Sequence, residues 1–178
     1  MKKYEFTEEI KRIGGGWIER EENLSHEGSC WVYGNAWVYG NARVCDSARV
    51  YDNARVYGSA RVYGDAQVCD NAQVCDNAQV YGDARVCGSA RVCGSARVCG
   101  GEWDKSPLYI QGTRWSFNVA SDTKIQVGCQ RHTWQEWHDK FREIAAEHAG
   151  EDIIPEYVQY FNLACKLYSH EDCLIEEV

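Results

Sequence analysis

Between residues 30 and 100 the apolar and polar positions of this chain recur in a phrase of six residues. Valine stands at 32, 38, 44, 50, 56, 62, 68, 74, 80, 86, 92 and 98 without a break, and alanine stands two residues before each from Ala36 to Ala96, with Cys30 in the first such slot. The unit reads A-x-V-[YC]-[GD]-[NDS]. Six residues of α-helix turn through about 600°, which returns a side chain to the wrong face, so this period excludes an amphipathic helix. In an extended strand, residues two apart share a face. Ala and Val therefore point one way, while the Arg, Gln or Trp between them and the Tyr or Cys after them point the other. The remaining two positions carry turn chemistry, because glycine reaches positive φ without strain and short polar side chains bond their own backbone. Each hexad is predicted to be one short strand and one corner.

Short repeats of this kind signal a β-helix, whose single repeat cannot bury its own apolar face and must stack on copies of itself. Three hexads make a triangular coil of 18 residues, so twelve valines predict four coils, with Val filling the interior and Ala fitting the cramped corner. Successive coils rise by about 4.8 Å. Each buried valine contributes roughly 1.5–3 kcal/mol, and the column of them supplies most of the driving force.

The variable letters follow the same coil. Arg occupies positions 49, 55 and 61, Gln 67, 73 and 79, and Arg again 85, 91 and 97. Guanidinium groups stacked at about 5 Å repel by about 1 kcal/mol even in water. A Gln row between Arg rows doubles the separation to about 10 Å, near a Debye length. At a spacing of 18 the outward columns run Tyr33-Tyr51-Cys69-Cys87, Tyr39-Tyr57-Cys75-Cys93 and Cys45-Tyr63-Tyr81-Cys99. Exposed tyrosine ladders offer apolar area with a polar tip, as recognition surfaces do. Aromatic neighbours also stabilise sheet stacking by themselves. The Cys69–Cys87 and Cys75–Cys93 pairs fall inside the Cα separation a disulfide needs, but a reducing compartment favours free thiols.

After "GGEWDKSP" the rhythm changes. Leu108 and Ile110, then Trp115, Phe117 and Val119, then Ile125 and Val127 alternate with polar residues, with turns at Gly112 and Ser121-Asp122, which predicts a three-stranded antiparallel meander. Thr133 and Glu136 have capping-box spacing and open a helix whose Trp134, Trp137, Phe141, Ile144, Ala145 and His148 share a face, and Gly150 ends it. Pro155 opens a second helix striped by Tyr157, Val158, Phe161, Ala164, Cys165 and Tyr168. These aromatic faces pack on the meander or on another subunit.

A length of 178 residues with 44% hydrophobic content suits one domain or two small ones. The opening "MKKYEFTEEIKRIGGG" has no apolar signal-peptide core and no stretch reaches membrane-span length, so a cytoplasmic location is expected. Ten cysteines are then expected reduced. The net charge of −8 is uneven: residues 31–100 carry 7 Arg against 6 Asp, whereas 101–178 carry 7 basic and 14 acidic side chains. That balance argues against a general nucleic-acid binder. In "CQRH", Cys129 and His132 stand three apart with His138 six further on, but a structural zinc site needs four ligands and a second pair is missing. Cys129 reads as the last inward residue of a strand, His132 as the residue before a helix cap and His26 as a turn residue. No metal or cofactor is expected, and no catalytic residue stands out.

The stretch "GGGWIEREENLSHEGSCWVYGNAWVYGNARV" resembles the start of a family of hexapeptide-repeat proteins from bacteria and their phages, whose GGWIE, NLS and CWVY.NA elements lead into the coils; residues 14–100 match that pattern. "LYIQGTRWSFNVASDTKIQVGCQRHTWQEW" resembles a C-terminal module attached to such repeats in phage-associated proteins. More distantly, the repeat alone resembles the left-handed β-helix acyltransferases. The resemblance implies a mainly β fold: a left-handed parallel β-helix of about four triangular coils at 31–101, preceded by an N-terminal cap and lead-in at 1–30. A linker at 102–107 and a small α+β module at 108–178 follow. Trp17 and Ile18 are expected over the first coil, with Leu24 as a further plug, since open β-helix ends must be covered.

Three functions are compatible with these features. The first is a non-enzymatic binding protein of phage type, a stiff prism meeting a protein partner, including inhibition of a host defence factor. Its expected contact residues are Trp31, Tyr33, Trp37, Tyr39, Arg49, Tyr51, Arg55, Tyr57, Arg61, Tyr63, Tyr81, Arg85, Arg91 and Arg97. The second is an acyltransferase using an acyl-CoA, as the distant relatives do between subunits with a loop histidine as base; here the hexads run uninterrupted and no histidine occurs from 27 to 131. The third is a nucleotide or nucleic-acid ligand binder using arginines over tyrosine faces, which the six nearby aspartates weaken. Flat coil faces also suggest a homo-oligomer, dimer or trimer. Neither a nucleic-acid nor a membrane partner is expected.

Overall fold

The structure is a computed structural model that describes residues 2–3, 13–148 and 150–175. The chain forms two compact units, residues 1–107 and 108–178.

The first unit is a parallel β-solenoid of three sheets. One sheet stacks Trp17–Ile18, Trp37–Val38, Arg55–Val56, Gln73–Val74 and Arg91–Val92, and the second stacks Ile13–Gly14, Trp31–Tyr33, Arg49–Val50, Gln67–Val68, Arg85–Val86 and Glu102–Trp103. The third stacks Leu24–Gly28, Arg43–Asp46, Arg61–Val62, Gln79–Val80 and Arg97–Val98. Lys2–Lys3 adds to the first sheet in antiparallel sense beside Trp17–Ile18. The hexad period is realised as predicted. Val50 sits over Val68 and Val68 over Val86, and every valine from Val32 to Val98 and every alanine from Ala36 to Ala96 is buried to 1% exposure or less. Backbone bonds join residues 17 apart, as in Arg49 N to Ala66 O and Gln67 N to Ala84 O, each 2.9 Å.

There are about five turns where the repeat predicts four. The lead-in, expected to lie over the column, instead winds a coil of its own: Ile18 pairs with Val38 and Leu24 with Val44, so both continue the valine column with larger side chains. The coil is irregular because its rungs return after about 20 residues rather than 18, as Trp17 over Trp37 requires. Of the expected cap, residues 1 and 4–12 lie outside the described residues. At the other end Glu102–Trp103, expected as linker, pairs in parallel with Arg85–Val86. Trp103 is 7% exposed and its indole N–H donates to Gly100 O at 2.9 Å, so a large ring lies on the last coil of the column.

The corners bear out the turn chemistry. Gly58 holds φ +72°, and a Cβ there would lie 2.9 Å from Asp76 N of the next coil, so the stacked backbones leave no room for a side chain. Yet Asp46, Asp52, Asp70 and Asp76 occupy the equivalent left-handed position with φ of 55–60°.

The second unit is a four-stranded antiparallel sheet, in chain order, of Tyr109–Gln111, Ser116–Val119, Lys124–Val127 and Gln130–Thr133. Helices α1 (Trp134–His148) and α2 (Ile154–Leu167) follow. The fourth strand is absent from the sequence reading because Gln-Arg-His-Thr carries no apolar alternation; backbone pairing alone, Ile125 opposite His132, places it at the edge. Phe117, Val119 and Ile125 are fully buried with Phe161 of α2. The helices' aromatic stripes thus pack on the sheet within one chain, and polar tips find backbone partners: Trp137 Nε1 donates to Ile125 O at 3.0 Å and Tyr157 Oη donates to Trp115 O at 2.7 Å. The capping box forms, with Glu136 N donating to Thr133 Oγ1 at 3.2 Å and Thr133 N to Glu136 Oε2 at 2.9 Å. These bonds hold the Glu136 carboxyl below its usual range. His148, read as part of the buried stripe, is exposed in the last turn.

Candidate functional site

The fourteen expected contact residues do not converge on one pocket. The threefold winding deals them onto three faces. Trp31, Arg49 and Arg85 share one, Trp37, Arg55 and Arg91 the second, and Arg61 and Arg97 the third. Trp31 sits in register over Arg49, and Trp37 over Arg55. All six arginines are exposed. Trp31 is 39% exposed, the greatest exposure of any aromatic side chain among the described large hydrophobics.

The expected contact residues left out Trp17, which was expected only over the first coil, and Arg43 and Glu102, all of which belong to the same faces. Trp17 stacks in register over Trp37, ring centroids 5.7 Å apart; its signal was the Trp-Ile pair, which repeats the Trp-Val of 31–32 and 37–38. Glu102 ends the face of Arg49 and Arg85, with its Oε1 3.4 Å from Arg85 Nη1.

The tyrosines form the predicted ladders but are half-buried rather than exposed. Tyr33 stacks on Tyr51 at 5.0 Å, Tyr39 on Tyr57 at 5.1 Å and Tyr63 on Tyr81 at 5.0 Å, each pair within 4° of parallel. Rings one coil apart have nowhere else to go, so each covers its neighbour's face. The row of glutamines takes up the hydroxyls: Tyr51, Tyr57 and Tyr63 donate to Gln67, Gln73 and Gln79 Oε1 at 3.2, 3.3 and 3.2 Å. Burial, followed by the nearby Cys69 thiol, pushes Tyr51 up to about 12. The cysteine column positions continue the ladders, and none of the ten cysteines is in a disulfide.

The lead-in motif proves to be construction. Asn23 is 2% exposed; its Nδ2 donates to Gly40 O at 3.1 Å and Ala42 O at 2.8 Å, and its Oδ1 accepts from Arg20 N at 2.8 Å. Glu19 Oε2 accepts from Gly40 N at 2.7 Å. Cys30 fills an alanine slot with its thiol 3.4 Å from Ser25 O. A cleft of about 340 Å³ beside this turn is lined by Arg20, Glu22, Asn41 and Arg43 among others. His26 lies in the strand Leu24–Gly28 rather than in a turn, exposed and 3.2 Å from Glu21 Oε1.

In the second unit Cys129 is exposed in the Gly128-Cys129 turn, not inward on a strand, and borders a cleft of about 140 Å³ with Trp115, Trp137, Ile144 and His148. His132 is in the fourth strand, its Nε2 3.3 Å from Gln130 Oε1, and His138 lies 2.9 Å from Asp139 Oδ1. Among the described residues, the sets of three or more ligand atoms lying within 4.8 Å of one another are on the solenoid, at Cys69-Asp70-Cys87 and Cys75-Asp76-Cys93, and not here. Among the described residues no helix is long and apolar enough to cross a membrane.

A family profile described as the YdcK beta solenoid repeat matches residues 48–65, 72–88 and 78–94, each match about one coil long. No curated protein and no solved structure matches the chain. Repeat and fold together define a parallel β-solenoid repeat protein, with a four-stranded sheet and two helices at its C-terminal end.

Proposed function

We propose that the solenoid is a non-enzymatic display that binds a protein partner, and that the surface it offers first is the aromatic end of the column. The observation that carries this reading is the register of Trp31 over Arg49 and Trp37 over Arg55 on adjacent faces, with Trp31 left 39% exposed. Tryptophan, tyrosine and arginine are the side chains that most often anchor protein interfaces. Here they project from a backbone held on both sides by other rungs, so little conformational freedom is lost on binding. Unbroken hexads from Trp31 to Val98 leave no inserted loop in which to place a catalytic base. The resemblance of the lead-in to phage-associated proteins supplies a setting, in which the partner is a host protein and occupation of it an inhibition.

The test is capture from a bacterial lysate with the tagged full chain as bait. A partner at stoichiometric level is expected. Trp31→Ala combined with Arg49→Ala is expected to weaken it at least tenfold, since each anchor contributes about 1–2 kcal/mol or more. Arg97→Ala on another face is expected to leave it within about twofold. Absence of any stoichiometric partner, or retention of affinity in the double variant, ends the reading. Self-association of the same face would appear instead as a concentration-dependent dimer or trimer in light scattering.

A further inference from the structure

Four corners of the solenoid carry aspartate in the left-handed conformation that glycine occupies at equivalent corners. A Cβ is disfavoured there, so the carboxylate must supply something glycine cannot. Part of the answer is a hydrogen bond to the coil beyond: Asp46, Asp70 and Asp76 Oδ2 accept from the N–H of Gly64, Gly88 and Gly94 at 2.9, 2.9 and 3.0 Å. The neighbours of Asp70 and Asp76 set them apart. Cys69 Sγ lies 4.0 Å from Asp70 Oδ2, Cys75 Sγ lies 3.7 Å from Asp76 Oδ2, and the next coil stacks a second thiol, Cys87 or Cys93, on each column. In both clusters the three ligand atoms lie within 4.8 Å of one another. Asp46 follows Cys45, whose column continues with Tyr63, and Asp52 follows Tyr51, so neither has the second thiol.

We propose that Cys69-Asp70-Cys87 and Cys75-Asp76-Cys93 are two matched sites for a thiophilic divalent cation of the zinc class, one on each of two columns of the solenoid. Tetrahedral zinc with thiolate and carboxylate ligands separates sulfur from sulfur by about 3.8 Å and sulfur from oxygen by about 3.6 Å. The observed sulfur-to-oxygen distances of 3.7 and 4.0 Å need adjustments of a few tenths of an ångström. Two thiolates and a carboxylate leave one net negative charge on a divalent ion, and the guanidinium groups of Arg85, which interacts electrostatically with Cys69, and of Arg91, which does so with Cys93 and Cys75, offset it. Cys69, Cys75 and Cys87 are buried and Cys93 is half-buried where the cysteines continue the tyrosine columns, whereas Asp70 and Asp76 are exposed, so the ion has a sheltered thiol side and a route from solvent. Glu102 Oε1, 3.9 Å from Cys87 Sγ, is a fourth ligand atom, the second oxygen, beside the first site. Burial pushes the Cys87 thiol up and the Cys75 thiol up to about 11, so loading at neutral pH displaces thiol protons.

The full chain, reduced, stripped with chelator and kept anaerobic, is titrated with Co²⁺ and read by thiolate-to-cobalt charge-transfer absorption. Saturation at two equivalents is expected, falling to one in Cys87→Ser, to one in Cys93→Ser and to none when both are changed; Cys129→Ser retains two. Circular dichroism of each variant reports whether the solenoid is intact, and zinc is expected to raise the melting temperature of the parent but not of the double variant. The inference is overturned by an absent band in folded protein at hundredfold excess cobalt, or by a band that survives in the double variant. It is also overturned if peptide mapping finds both thiol pairs joined as disulfides in protein prepared with zinc present. The result does not depend on whether a protein partner is found.

Discussion

Asn23 shows how much one side chain closes. Its amide satisfies two carbonyls of the following coil and one N–H of its own turn while 2% exposed, so every polar atom it has is used where water does not reach. Asn23→Ala leaves these groups without partners and is expected to destabilise the solenoid by roughly 2–4 kcal/mol in urea unfolding. Asn23→Asp keeps the acceptor but turns a charge toward two carbonyls, and is expected to be at least as damaging. A loss below about 1 kcal/mol for both would show that the lead-in coil is not part of the cooperative unit. The Asn of the NLS element was visible in the chain. Its duty was not, because its partners stand 17 and 19 residues away across a lead-in coil that returns after about 20 residues rather than the 18 of the repeat.

Among the elements, the row Gln67, Gln73 and Gln79 does two things at once. It separates the row Arg49, Arg55 and Arg61 from the row Arg85, Arg91 and Arg97, Gln67 lying between Arg49 and Arg85, although Arg43 lies directly over Arg61, and it accepts the hydroxyls of three tyrosines. The charge spacing was legible from the letters, since positions 18 apart are neighbours in any such coil. The tyrosine bonds were not, because they run between residues 16 apart and depend on how far each ring leans. Changing the three glutamines together to arginine creates unbroken guanidinium ladders that repel by about 1 kcal/mol per adjacent pair before screening. The loss of stability is expected to shrink between low salt and about 0.5 M. Replacement by alanine removes only the hydrogen bonds, so its smaller loss should not move with salt. Equal salt dependence for the two triple variants would refute the role in charge spacing.

At the scale of the whole solenoid, coils are interchangeable units that contact only their neighbours. Removing residues 49–66, one coil, keeps the valine column in phase, places Trp31 over Gln67 and leaves the arginine rows separated. The shortened chain is expected to fold with the same β circular dichroism per residue and a lower melting temperature, since all three tyrosine stacks are lost. Failure to fold would mean that stability is not spread along the column as a sum of neighbour terms.

The alternation of inward Ala and Val, the left-handed corners, the 18-residue coil and the Thr133–Glu136 cap were all determined by sequence alone. In a repeat, each residue's spatial neighbours are copies of itself, so the local pattern already contains the tertiary contact. Where the pattern stops, that identity is lost. The lead-in became a fifth turn rather than a lid, Trp103 joined the column instead of a linker, and an edge strand with no apolar rhythm appeared at Gln130–Thr133. The gathering of two thiols and a carboxylate at two corners is of the same kind. Cys69 with Cys87 follows from the repeat, but the turn of the Asp70 carboxylate toward them is decided by a backbone N–H one coil away, which only the folded column brings within reach.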